Sequence, residues 1–157
     1  MSTHSEQFMQ EAIDRSINSV KSGGGPFGAV IVKDGKIISC ESNSVTLTND
    51  PTAHAEVNAI RKACSELNTF SLEGCELYTS CEPCPMCLSA AYWAGIKRIY
   101  FGNSRTDAKE INFDDSFIYD EIPLAPDARA IPAVQIMRDR AIEAFQLWDT
   151  KSDKVEY

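Results

Sequence analysis

The sequence predicts an α/β fold, a three-layer α/β/α sandwich around one mixed sheet of about five strands. Five short segments are rich in residues that favour strands, and segments with helical periodicity separate most of them. Strands that alternate with helices are typical of a sheet covered by helices. An Asp34-Gly35 pair between the first two strands predicts a tight antiparallel hairpin, so the sheet is expected to be mixed.

The first helix is opened by a Thr3-His4-Ser5-Glu6 capping box and ended by the Gly23-Gly24-Gly25-Pro26 run. The two strands of the hairpin follow, at residues 27–33 and 36–40. A polar turn then leads into a second helix over about residues 53–67, whose apolar residues recur at helical spacing.

The second half of the chain continues the alternation. A short strand at residues 76–79 precedes a helix that Pro83 and Pro85 open and Gly95 ends. The remaining elements are expected to be a strand at residues 97–102, a short helix near 115–119, a strand at 133–138 and a helix at 141–148. No repeat or linker interrupts this pattern, so residues 1–157 are expected to form a single domain.

Composition and charge favour a cytoplasmic protein that acts on a small molecule. The chain has 157 residues and a formal net charge of -8, whereas proteins that grip nucleic acid normally present a basic face. It has no apolar run of the roughly 20 residues that a membrane helix needs, and its first ten residues lack the apolar stretch of a secretory signal. Nucleic-acid binding and membrane insertion are therefore not expected.

Two short motifs carry the residues of a metal site. One is His54-Ala55-Glu56, and the other contains Cys84 and Cys87 in a Pro-Cys-x-x-Cys pattern; each falls at the predicted start of a helix. Two cysteines three residues apart share one face of a helical turn, and with His54 they form a ligand set suited to Zn²⁺. Three protein ligands leave the fourth tetrahedral position open, as in catalytic zinc sites. Glu56 can then act as general base and acid.

Cys81 leaves two alternatives open. As a fourth ligand it would give a closed, structural zinc site, and the Cys-x-x-Cys-x-x-Cys run also resembles half of a ferredoxin-type iron–sulfur site. The bacterial ferredoxin run needs a cysteine at position 91 followed by proline, where this chain has Ala91 and Tyr92. The combination of His-x-Glu with Pro-Cys-x-x-Cys matches the motif of zinc nucleobase deaminases. One zinc ion per chain is therefore predicted, although a zinc-stabilised binding module without turnover would carry the same ligands.

Longer stretches resemble the bacterial guanine deaminases of the cytidine-deaminase-like fold. These stretches are residues 24–30, 50–56, 79–87 and 113–119, together with the terminal Glu156-Tyr157. The first three are shared with deaminases of other bases, and the last two are the narrower marks. The resemblance implies zinc-dependent hydrolysis of guanine to xanthine and ammonia. Guanosine, cytosine, cytidine and tRNA adenosine are the alternative substrates within the same superfamily.

The resemblance also assigns roles to residues outside the zinc site. The residues expected to contact the substrate are Phe27, Asn43, Ala55, Trp93, Asp114, Asp115 and Tyr157. It implies that Asn43, the Ala55 backbone N–H and one aspartate bind the base. Asp115 is the expected aspartate, and Asp114 is its alternative. The two aromatic side chains would wall the pocket and Tyr157 would close it. Ordinary roles stay open for some: a turn for Asn43, core burial for the aromatic residues, a helix cap for Asp114 and a frayed end for Tyr157.

The resemblance further implies a homodimer, in some members with the C-terminal segment exchanged between subunits. In this chain that segment is about residues 133–157. The long connection at residues 103–132 would permit such an exchange.

Overall fold

The computed structural model describes the chain from Thr3 to Tyr157, with side chains from His4 onward. The predicted capping box depends on the Thr3 side chain, which lies outside the described residues. The chain divides into two compact units, the second of which begins at Ser116. Among the described residues, no helix combines the length and the apolar character needed to cross a membrane.

The N-terminal helix and the hairpin form as predicted. Helix α1 spans Thr3–Lys21, and the glycine run follows it. Strands β1 (Gly28–Lys33) and β2 (Lys36–Ser42) pair antiparallel. Asp34 and Gly35 between them have φ angles of 50° and 73°, the positive values that a type I′ turn requires.

The elements that follow the hairpin carry the two metal-binding motifs. The elements that follow the hairpin are α2 (Val45–Thr48), α3 (Ala55–Leu67), β3 (Glu76–Cys81), α4 (Pro85–Ala94), β4 (Arg98–Asn103) and α5 (Arg105–Glu110). Gly95 caps α4 in the left-handed conformation, with a φ of 75°. The short helices α2 and α5 are additions that the periodicity did not predict.

The four strands form one mixed sheet in the order β2-β1-β3-β4. Strand β1 is antiparallel to both of its neighbours, and β3 is parallel to β4. Alternate side chains of the strands build two cores, one under α1 around Val30 and Tyr78 and the other under α3 around Ile31 and Leu77. The three-layer sandwich is therefore confirmed, with four strands instead of about five.

The second unit contains helices and irregular backbone. It comprises α6 (Ser116–Glu121), one turn of 3-10 helix (Pro126–Ala128) and α7 (Arg138–Thr150). The strand predicted at residues 133–138 is wrong for this structure, because residues 132–137 have no regular secondary structure and α7 begins at Arg138. A strand needs a neighbour to accept and donate its backbone hydrogen bonds, and in the described part of the chain the sheet ends at β4.

Candidate active site

The predicted metal ligands meet where two helices begin. His54 is the N-cap of α3 and Cys84 is the N-cap of α4, with Cys87 in the first turn of α4. The Nδ1 atom of His54 lies 3.5 Å from the sulfur of Cys84 and 3.5 Å from the sulfur of Cys87. One ligand atom from each of the three residues lies within 4.8 Å of the others. This is a compact nitrogen and sulfur cluster of the kind that holds a single metal ion.

Charge in the cluster matches a divalent cation. The hydrogen bond from the Cys87 thiol lowers the pKa of the Cys84 thiol to about 4, against burial, which raises it. The same bond and burial raise the pKa of Cys87, and the contact with Cys84 raises the pKa of His54. The two helix N-termini also favour negative charge here. One imidazole and two thiols so placed are the donors that zinc prefers, and metal binding would displace the thiol protons.

Glu56 is buried beside this cluster, in the first turn of α3. Its side chain is only 5% exposed, and burial raises its pKa. Its carboxyl group neighbours Cys87 and lies 3.1 Å from the Thr79 hydroxyl of β3. A buried carboxyl next to a metal site lies where a general acid and base can act.

Cys81 has a different environment from the three ligands. Its sulfur lies 3.9 Å from the backbone oxygen of Ser104, and the residue is outside the group of clustered ligand atoms. Burial raises the pKa of this thiol to about 11. Its position outside the cluster indicates a structural thiol and not a fourth ligand.

Asn43 lies just after β2 and is 8% exposed. Its Oδ1 accepts a hydrogen bond of 3.1 Å from the Val45 backbone N–H, which fixes the orientation of the side-chain amide. A Cβ atom at Gly25 would lie 3.1 Å from Cγ of Asn43, so the glycine loop packs closely on this amide.

Asn58 is a residue of the site region that sequence reasoning missed. From α3 its amide nitrogen donates to the backbone oxygen of Ser42 at 2.9 Å, to the Ser44 hydroxyl at 3.0 Å and to the Ala53 backbone oxygen at 3.3 Å. These contacts tie the residues on both sides of Asn43 to the residue before His54. The available signal was an asparagine inside a helix, where its side chain competes with helical hydrogen bonding.

The two predicted aspartates occupy different environments. Asp115 is 18% exposed and lies 3.8 Å from Arg105, and burial and the charge of Cys84 raise its pKa. Asp114 is 41% exposed and lies 3.6 Å from Lys109. The Asp115 carboxyl is therefore within electrostatic range of the Cys84 thiolate.

The remaining predicted site residues are spread more widely. Phe27 is half-buried, and its ring meets that of Phe113 edge to face at 5.0 Å. Ala55 is fully buried as the first residue of α3, where a backbone N–H has no acceptor within the helix. The Trp93 side chain is 75% exposed on α4. Tyr157 is 86% exposed and belongs to the second unit, so its role at the site stays a prediction.

Comparisons with known proteins agree with this geometry. Residues 2–103 match the family described as the cytidine and deoxycytidylate deaminase zinc-binding region. The guanine deaminase of Bacillus subtilis (strain 168) is 52% identical over 153 residues, which cover 97% of this chain and 98% of that protein. A tRNA-specific adenosine deaminase of Aquifex aeolicus is 48% identical over 96 residues, 61% of this chain and 64% of that protein.

Solved structures give the same result. An X-ray structure of guanine deaminase from Bacillus subtilis has a TM-score of 0.95 at 51% identity, covering 100% of this chain and 99% of that one. A guanine deaminase from Nitrosomonas europaea has a TM-score of 0.68 at 29% identity, covering 73% and 65%. With the His54, Cys84 and Cys87 cluster in place, the chain belongs to the cytidine and deoxycytidylate deaminase zinc-binding family.

Proposed function

We propose that this chain is a guanine deaminase that hydrolyses guanine to xanthine and ammonia with one zinc ion per chain. The observation that carries the proposal is the buried Glu56 carboxyl beside a three-ligand metal cluster. The substrate class is supported by the similarity to a guanine deaminase over nearly the whole length of both chains. The similarity to a tRNA adenosine deaminase covers 61% of this chain, and the net charge of -8 disfavours binding to RNA.

His54, Cys84 and Cys87 would hold the zinc ion. When bound, zinc acts as a Lewis acid that lowers the pKa of water and makes it a nucleophile near neutral pH. Glu56 then moves the protons. It accepts one proton from the attacking water and delivers it to N3 of guanine while the water oxygen bonds to C2. It next takes the second proton of that oxygen and gives it to the amino group, so the C2–N bond breaks and ammonia leaves.

Guanine recognition in this proposal uses hydrogen-bonding groups around the metal ligands. The Asn43 amide nitrogen and the Ala55 backbone N–H donate to acceptors of the base. The Asp115 carboxylate accepts from its N–H groups, and its lower exposure favours it over Asp114. Phe27, Trp93 and Tyr157 complete the list of proposed contacts, the first two as walls and the last as a lid.

Product analysis with zinc-loaded protein tests the proposed function. Guanine should yield xanthine and ammonia in equal amounts, and removal of zinc by a chelator should abolish the reaction until zinc is restored. A panel with guanosine, cytosine, cytidine, adenine and a tRNA stem-loop separates the alternative deaminases. Absence of ammonia from every substrate, with zinc bound in stoichiometric amount, would favour a binding module and contradict the proposal.

We further infer that the protein is a homodimer in which residues 133–157 complete the sandwich of a second copy. Supporting this, residues 133–138 have a strand-like sequence yet form no strand, while β4 is an edge strand in the described part of the chain. Several large apolar side chains of the segment are at least 71% exposed: Val134, Ile136, Met137, Phe145, Leu147 and Tyr157. Exposed apolar surface of this kind is typical of an interface.

Light scattering in solution tests the dimer. The expected mass is twice the 17.4 kDa of one chain across micromolar concentrations. Removing residues 133–157 should then give monomers that have lost most activity. A single-chain mass for the full-length protein would contradict the dimer, and a truncated protein that remains dimeric would contradict the exchange.

We also place the enzyme in the cytoplasm. All six cysteines are free thiols, and two of them serve as metal ligands in the proposed site. Free and metal-binding thiols are favoured by a reducing compartment.

A further inference from the structure

A buried hydroxyl group on the central strand lies against the proposed catalytic carboxyl. Thr79 of β3 is fully buried, and its Oγ1 atom lies 3.1 Å from Oε1 of Glu56. The same Oγ1 lies 3.0 Å from the backbone oxygen of Cys81, two residues along the strand. The motifs in the sequence did not single out Thr79, because this contact joins residues that are 23 positions apart.

Thr79 lies on an interior strand of the sheet. Strand β3 has a neighbour on each side, and Thr79 itself is paired with Ala29 of β1 and with Phe101 of β4. A β-branched side chain on such a strand has few accessible rotamers. Its hydroxyl therefore presents a fixed point of contact to Glu56, whose own side chain has three rotatable bonds.

The Thr79 hydroxyl contacts two groups that the fold holds in place. A hydroxyl carries one donor and two acceptor lone pairs. The Oγ1 atom is within hydrogen-bonding distance of both Oε1 of Glu56 and the Cys81 backbone oxygen. It therefore restricts where the Glu56 carboxyl can lie.

We propose that Thr79 is a positioning residue that holds the Glu56 carboxyl in place for proton transfer. The inference rests on the proposed function of Glu56. A displacement of about 1 Å in a reacting group can lower a rate by about 10²-fold. Removal of the hydroxyl should therefore reduce kcat and leave KM for guanine nearly unchanged. The reason is that Thr79 is hydrogen-bonded to Glu56 and not to the groups proposed to bind the base.

Three variants test this role. Thr79→Val removes the hydroxyl at similar volume, Thr79→Ser retains it, and Ser80→Ala is the matched control. Ser80 is the next residue on β3, and its buried hydroxyl accepts a hydrogen bond of 3.0 Å from the Gly28 backbone N–H, away from Glu56. Zinc content and urea unfolding are measured for each variant beside kcat and KM. If Thr79→Val does not fold, Thr79→Ala provides the same comparison.

We expect kcat to fall about 10–10²-fold in Thr79→Val and to recover to near the wild-type value in Thr79→Ser. Ser80→Ala should lose stability but keep its kcat. An unchanged kcat in a folded, zinc-loaded Thr79→Val or Thr79→Ala protein would overturn the inference, as would equal losses in Thr79→Ser and Thr79→Val. If wild-type protein itself does not deaminate guanine, the proposed function fails instead, and the two failures are thereby distinguished.

Discussion

Glu56 and the metal ligands share one small volume but have separate tasks in the proposed mechanism. The ligand atoms of His54, Cys84 and Cys87 lie within 4.8 Å of one another, and Glu56 is outside that group although it neighbours Cys87. Glu56→Gln should therefore retain zinc and stability but lower kcat by about 10²–10⁴-fold, the usual contribution of a general acid and base. Metal analysis and steady-state kinetics on the same sample check this. Near-normal turnover in a zinc-loaded variant would exclude Glu56 as the proton carrier.

The neighbouring aspartates allow a paired substitution. Asp115 is the less exposed of the two and lies within electrostatic range of Cys84. Asp115→Asn replaces an acceptor with an amide that can place N–H donors against the N–H donors of the base. We therefore expect kcat/KM for guanine to fall by about 10–10²-fold. Asp114→Asn, at the more exposed position beside Lys109, should remain close to wild type. The reverse pattern would assign the base contact to Asp114.

Substitution of Cys81 tests whether the metal has three protein ligands and an open fourth position. The Cys81 sulfur is outside the group of three ligand atoms that lie within 4.8 Å of one another, and it lies 3.9 Å from the Ser104 backbone oxygen. Cys81→Ser should hold one zinc per chain, whereas Cys84→Ser should lose most of it. The measurement is zinc content after dialysis. Equal losses in both variants would indicate four protein ligands and a closed structural site.

Among single residues, the sequence predicted those that belong to a short motif with a recognisable spacing. His54 and Glu56 are two positions apart, and Cys84 and Cys87 are one helical turn apart, so a local pattern identifies each pair. Thr79 and Asn58 were missed because their contacts, with Glu56 and with Ser42, join different elements. No short pattern records where β3 will meet α3.

The junction of helix α1 with strand β1 holds one face of the sandwich together. Gly28 begins β1, and a Cβ atom there would lie 2.2 Å from the Ala12 backbone oxygen and 2.7 Å from the Ser16 backbone nitrogen, both in α1. The helix backbone therefore approaches the strand at a distance that only glycine permits. The Gly28 N–H also donates to the Ser80 hydroxyl, which connects this junction to β3.

Gly28→Ala should destabilise the protein by about 1–3 kcal/mol, because α1 must move away from the sheet to admit the methyl group. Urea unfolding gives the change in free energy directly. Zinc content in the folded fraction should stay the same, since the metal ligands lie on α3 and α4. An unfolding free energy equal to that of wild type would show that the junction is less tightly packed than the structure describes.

Elements with a strong local signal were the ones that the sequence predicted. The Asp34-Gly35 turn specifies the hairpin, and the cap at Gly95 ends α4 where expected. Helices α2 and α5, of four and six residues, are too short for a periodic pattern to be recognised. The segment at residues 133–138 has the composition of a strand, but a strand forms only beside a partner, which local sequence cannot specify.

At the scale of the whole molecule, the first unit contains the three metal ligands and the second unit has much exposed apolar surface. Phe145 and Leu147 of α7 are 73% and 74% exposed, although a surface helix normally buries its apolar face. A second copy of the chain, as proposed above, would cover this surface. Sequence periodicity describes one chain and therefore could not decide where residues 133–157 pack.

The substrate preference is measured as kcat/KM for guanine and for guanosine with wild-type, zinc-loaded protein. In the proposed function, the Asp115 carboxylate accepts from N–H groups of the base and Tyr157 acts as a lid, and both proposed roles would favour the free base over its nucleoside. A site built to bind a substrate N–H rejects analogues that lack it, by up to about 10⁴-fold in favourable cases. We expect a preference for guanine of about 10²-fold or more over guanosine and still less activity on cytidine. Equal or faster turnover of guanosine would contradict it and assign the chain to nucleoside deamination.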